Sequence, residues 1–318
     1  MNPKPLSLVI ASLRRAVTLG SLFLSVSIAS GTGLCQIAVE HPSQAALSNE
    51  IESLLRTEYT QDDDSVAVAR VQKILTDDGF PTKEMVGTAA VQDFMVLLVN
   101  DQPFTFMKQA SPSVERAVDT GQISSNDGLY FRVSMNQKEV ESRLGKPTNP
   151  ELQKQIEAMT ESDQAPRKKE AFDPKTMDEI DKQNRSAILS ILNRYGVPTF
   201  AMVGSEAAND FVVLIQHQPP DFLEQALPKL KQNVDTGQAE AKSYAMMFDR
   251  TQTYRGKPEM YGVNLICQAN GTVAPGPLAD PEHVDERRAA IGLMPLKTYL
   301  HLAAIVTPPD FCKKASGS

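Results

Sequence analysis

Cysteine is scarce and basic charge is in deficit in this sequence, and each shortage closes off a class of function. The 318 residues hold three cysteines, Cys35, Cys267 and Cys312, with no CxxC pair or Cys/His cluster, so the spacing of a structural zinc site is missing. Lys and Arg number 32 against 39 Asp and Glu, a net charge of −7. The first 33 residues contain Lys4, Arg14 and Arg15 and no acid, which leaves −10 on the remainder and argues against a nucleic-acid partner. No GxSxG, HExxH, phosphate-binding loop or dinucleotide fingerprint occurs. No metal and no cofactor is expected from these patterns.

What is present is a globular chain, 41% apolar and 22% charged, long enough for two domains. Arg14-Arg15 followed by AVTLGSLFLSVSIAS and small residues reads as a signal peptide over residues 1–33, with an uncleaved N-terminal anchor as the alternative. Export to the periplasm or outside the cell is the expectation, with membrane attachment only through the N-terminus. In such an oxidising compartment Cys267 and Cys312 can pair, although two buried thiols fit the sequence as well.

The string VDTGQ occurs at Val118–Gln122 and again at Val234–Gln238, and the frame G-x-P-T-x-x-M-V-G occurs at Gly79–Gly87 and Gly196–Gly204. The two spacings differ by one residue, which points to an internal duplication. The expected fold is mainly α: two helical repeats, residues 46–146 and 176–313, with a small β-hairpin in the second. The stretch 147–175, rich in Pro, Gln, Glu and Lys, has the composition of a linker with at most one short helix. VDTGQ reads as a helix exit, its glycine supplying the left-handed conformation of a C-terminal cap. Ser205 reads as the cap of AANDFVVLIQH, and Asn270-Gly271 as the turn of the hairpin.

Residues that serve a shared scaffold should persist in both copies, whereas a site can survive in one. The apolar frame does persist. His217 faces Asn100 or Asp101, Asn184 and Arg185 face Ala67 and Val68, and Asp249-Arg250 and Tyr261-Gly262 have no clear counterpart, so the second copy holds the candidate site. His217 suits acid–base work near neutrality. Asp249 and Arg250 fall beside the Tyr244/Phe248 face of a helix, where charges are partly buried and must be paired. Arg287 and Arg288 follow Val284 at helical spacing, so at least one lies near the apolar face and seeks a carboxylate, either Asp249 or Asp285 or that of a ligand.

The series D-x-x-N (Asp181–Asn184), G-x-P (Gly196–Pro198), Val203-Gly204, Gln216-His217, Asp249-Arg250, Tyr261-Gly262, DPEHVDERRAAIGLMPL (Asp280–Leu296) and Tyr299 resembles the bacterial domain-of-unknown-function family 6624 over about residues 177–300. The resemblance implies a helical domain and a bacterial source, and brings no reaction with it. The chain departs from it at Val197 for tryptophan, Glu259 for glutamine, and Val263-Asn264 for Thr-Gln. The expected function is a module that binds a small-molecule or peptide ligand or a partner, with Asn184, Arg250, Tyr261, Arg287 and Arg288 as ligand contacts. The alternative is a metal-independent hydrolase or transferase that uses His217 and Asp249.

Overall fold

The computed structural model describes residues 43–60, 65–100, 102–165, 174–268 and 271–307, together with Cys312. The expected signal segment, Cys35, Asp101 and the turn residue Asn270 lie outside these. The described chain is mainly helical. Helices α1 (Ala45–Thr60), α2 (Ser65–Asp77), α3 (Lys83–Asn100), α4 (Phe104–Asp119) and α5 (Ser125–Ser142) come first. They are followed by α6 (Pro150–Gln164), α7 (Pro174–Tyr195), the single turn α8 (Phe200–Val203), α9 (Ser205–Gln216), α10 (Pro220–Asp235) and α11 (Ala241–Tyr254). A two-stranded antiparallel hairpin, β1 (Leu265–Cys267) and β2 (Val273–Pro275), pairs Ile266 with Ala274, as the alternating apolar pattern leads one to expect. A 3-10 turn at Pro281–His283 then leads into α12 (Val284–Ala290) and α13 (Leu296–Val306).

Both recurring strings turn out to be backbone devices, and they touch each other. Gly87 (φ 82°, ψ 159°) breaks α3, and Gly204 (φ 85°, ψ 161°) separates α8 from α9. A side chain is strained at such φ, so MVG ends in glycine. The break leaves the carbonyls of a single helical turn without intrahelical partners. Those of Glu84 and Met85 accept from Ser43 and Gln44 N–H, and those of Ala201 and Met202 accept from Thr148 and Asn149 N–H. The threonine of each PT pair caps the turn, with Met85 N–H donating to Thr82 Oγ1 and Met202 N–H to Thr199 Oγ1. Each VDTGQ closes a helix through a positive-φ glycine, Gly121 or Gly237. Its glutamine then reaches the PT turn: Lys83 N–H donates to Gln122 Oε1 at 2.7 Å and Ala201 N–H to Gln238 Oε1 at 3.0 Å.

Each half builds its own apolar core. The first gathers Ile51, Leu55, Ile74, Phe94, Leu97, Met107 and Phe131, and the second Ile156, Ile188, Val203, Phe211, Ile215, Leu223 and Met247. The stretch expected as linker contains the 15-residue α6, capped by Asn149, whose Oδ1 accepts from Leu152 N–H. It buries Leu152, Ile156 and Met159 at helical spacing in the second core and packs along α9 as α1 packs along α3. Ser205 does not cap α9: the cap position is Gly204, which makes no side-chain bond. Val66 of α2 and Leu189 of α7 are exposed apolar side chains.

The end of the chain returns to the first half. Leu302 of α13 joins the first core, and α12 packs on α5, where a side chain at Gly292 would press on Val133 and Ser134. Thr298 Oγ1 donates to Gln92 Oε1, and Gln137 Nε2 donates to the Ala239 carbonyl. Cys267 and Cys312 form a disulfide with Cα atoms 5.4 Å apart, so of the two sequence alternatives the bridge is the one present. It closes a loop of 45 residues, worth about 4 kcal/mol by loop-closure entropy. Reduction, or Cys312→Ser, should lower the denaturant midpoint by an amount equivalent to roughly 2 to 4 kcal/mol in a urea titration. An unchanged midpoint would mean that the bridge ties down nothing that the rest of the fold does not already hold.

Candidate functional site

The polar residues singled out in the second half separate into three centres. The first is His217, which ends α9. Its side chain is 2% exposed, and Nδ1 lies 2.9 Å from Oδ1 of Asp163, itself 1% exposed, and 4.0 Å from Oδ1 of Asp181. Asp163 comes from the last turn of α6, and its second oxygen accepts from Gln164 Nε2. Gln218 braces this corner: its Nε2 donates to the Asp181 carbonyl and its Oε1 accepts from Arg185 Nε. Asn184, one helical turn after Asp181 and so on the same face of α7, is buried with Nδ2 unpartnered. His217 Nε2 is also buried without a partner.

The second centre is Asp249, which is fully buried. Its carboxylate accepts from Met260 N–H at 2.7 Å, Tyr261 N–H at 3.0 Å and Val263 N–H at 3.3 Å. Gly262 (φ 66°) lets the chain turn both flanking N–H groups onto one carboxylate, and a Cβ there would meet Leu278 at 2.9 Å. Glu259 lies beside it, 3% exposed, and accepts from Asn264 N–H. Burial raises the Glu259 carboxyl to about 8, reinforced by the Asp249 charge. Burial also raises Asp249, against the pull of its N–H donors. The N–H donors fix the anion on Asp249 and the shared proton on Glu259.

The structure does not join His217 and Asp249 as a hydrogen-bonded pair: His217 is turned to Asp163, and the Asp249 oxygens are filled by main-chain donors. Arg250 is a cap, its NH1 donating to the Gln216 carbonyl at 2.7 Å at the C-terminus of α9. The Tyr261 ring packs edge-on against Tyr244 and Phe248. Arg287 donates to the carbonyls of Met260, Ala279 and Asp280, and approaches Asp280 Oδ2 at 3.4 Å.

Arg288 is the third centre. It is 1% exposed, with Nε donating to the Met294 carbonyl, NH1 to that of Tyr261, and the guanidinium 5.0 Å from the centre of the Tyr299 ring. The carboxylate expected beside it is absent: among the described residues none lies within ion-pair distance. Burial lowers its pKa to about 10, so the charge persists at neutral pH. Arg288 and Tyr299 contribute to the wall of a cavity of about 240 Å³. Tyr130 and Lys138 of α5, Asn209 of α9 and Met246 of α11 supply further wall, so both halves enclose it. Glu141 and Glu240 also line it, and the Glu141 carboxyl is raised by burial and then by the charge of Glu240.

Residues 150–306 match the model of DUF6624, a family of unknown function. The match begins at the first residue of α6 and ends at the last of α13. No curated protein and no solved structure matches the chain. The sequence reading placed Asp163 in a linker and noted Glu259 only as a departure from the family pattern. Its glutamine was the available signal, because a protonated glutamate offers the same donor and acceptor pair.

A group whose folded pKa is raised supports the fold fully below its unfolded value and ceases to do so as pH rises through the folded value. For Glu259 that window runs from about 4.5 to about 8. Thermal melts should therefore fall in midpoint across this range, and Glu259→Gln should flatten the profile and raise the midpoint at pH 8. A variant as pH-sensitive as the parent would mean that the proton is not held by Glu259.

Proposed function

We propose that the protein is an exported binding module, built from two related helical halves, that holds a small zwitterionic ligand in the cavity between them. An amino acid or a short peptide is the ligand class that fits. The observation that carries this reading is Arg288, a buried cation on the wall of a cavity with no carboxylate partner among the described residues. A ligand carboxylate would complete it through charge-assisted bonds. Glu141 and Glu240 repel one another on the same wall, and a ligand ammonium relieves that repulsion. The volume of about 240 Å³ suits a molecule of this size, being room for about eight waters at about 30 Å³ each. The disulfide agrees with export to an oxidising compartment.

The test is a thermal-shift and calorimetric panel of free amino acids, with acetate and ethylamine as half-ligands. At least one amino acid should raise the melting temperature in proportion to its concentration, and each half-ligand should act more weakly. Glu141→Gln should weaken binding, and Asn209→Leu, which fills the cavity, should abolish it while the circular dichroism spectrum stays that of the parent. A flat panel on the folded wild-type protein, or full binding by Asn209→Leu, would remove the basis for this assignment.

A further inference from the structure

We propose that Asp163, Asp181 and His217 form a binding site for one divalent first-row transition ion. The three side chains arrive from α6, α7 and the end of α9, elements separated in sequence and held together by Gln218 and the second core. Each offers one ligand atom, and these atoms lie within 4.8 Å of one another. Ligands bound at about 2.0 to 2.2 Å stand roughly 3 to 3.5 Å apart around such an ion. The 2.9 Å edge from His217 Nδ1 to Asp163 already has that length, and the 4.0 Å edge to Asp181 needs a shift of under about 1 Å. Two carboxylates and a neutral imidazole balance a divalent charge, and the mixed nitrogen and oxygen set suits zinc, manganese, iron or cobalt rather than calcium.

One feature beyond the three side chains points to a ligand here. Asn184, nine-tenths buried on the Asp181 face of α7, has an amide nitrogen with no acceptor. An unmade buried hydrogen bond is costly and calls for an explanation. A hydroxide or other anion held by the ion beside Asp181 supplies the acceptor that Asn184 lacks. The surroundings are also electronegative: the Asp210 carboxyl of α9 is raised to about 6 by burial and then by Glu206, Glu157 and Asp163. A cation at the cluster offsets that field. The site shares no residue with the cavity wall that contains Arg288, so it stands or falls separately from the ligand reading.

The experiment is titration of the metal-free full chain with cobalt(II), followed by visible absorption, with zinc competition and metal analysis after desalting. The wild type should take up one equivalent with a d–d band that zinc abolishes. Asp181→Asn, at a side chain only 17% exposed but not in the apolar core, should lose about tenfold or more in affinity while melting like the metal-free parent. His217→Gln should lose the band. Arg288→Lys should bind cobalt as the wild type does. The proposal is overturned if the wild type retains no cobalt, or if either Asp181→Asn or His217→Gln binds it unchanged.

Discussion

A single buried carboxylate organises the C-terminal third of the molecule. Asp249 sits on α11 with no solvent access, and an isolated charge there would be prohibitively costly. Three main-chain N–H groups from Met260 to Val263 satisfy it, and in doing so fix the loop that follows α11. That loop presents the Tyr261 carbonyl to Arg288, and the Val263 carbonyl to the Tyr299 hydroxyl. The carboxylate thereby sets where the arginine and tyrosine of α12 and α13 stand, and with them one wall of the cavity. Glu259 makes the arrangement pH-sensitive, because the second carboxyl fits beside the first only while it keeps its proton.

The other constraint is the positive-φ glycine that interrupts a helix after one turn, at Gly87 and again at Gly204. Ending a helix there exposes two carbonyls, and the chain entering α1 or α6 takes them up with consecutive N–H groups. This explains why α6 belongs to the second core and does not hang between two domains. It also places the last turn of α6, and hence Asp163, against the end of α9 where His217 emerges. Residue pairs such as Asp93 and Asp210 stand at matching distances beyond the two glycines. Burial raises both carboxyls to about 6, with His301 opposing the shift at Asp93.

How much of this was legible in the sequence depends on whether the interaction leaves a mark of its own. The helix exits at VDTGQ were readable because glycine has one strong reason to stand at a C-terminal cap. The hairpin was readable from alternation. Helix α6 was obscured because its core contact rests on three apolar residues, Leu152, Ile156 and Met159, in a polar stretch. The burial of Asp249 and Arg250 followed from their place beside Tyr244 and Phe248, but their partners are main-chain groups, which carry no sequence signature. The same holds for Arg288, for which periodicity foretold burial and a carboxylate partner was the natural guess. His217 was visible as an isolated polar residue in an apolar context. Its neighbour Asp163 was not, since the surrounding composition pointed to a linker.

The two candidate centres differ in what they draw on, and that difference bears on their roles. Every residue of the His217 cluster lies within 150–306, the part that matches the family model, so its geometry is internal to that domain. The cavity takes Tyr130, Ser134, Lys138 and Glu141 from α5 and Val99 and Asn100 from α3, all outside the match. Its shape therefore depends on how α12 and α13 fold back over a first half that the family pattern does not include. Arg250 connects the two regions, because its helix contributes Met246 to the cavity wall while its guanidinium holds the Gln216 carbonyl next to His217. A shift of α11 would be felt at the end of α9 through that bond.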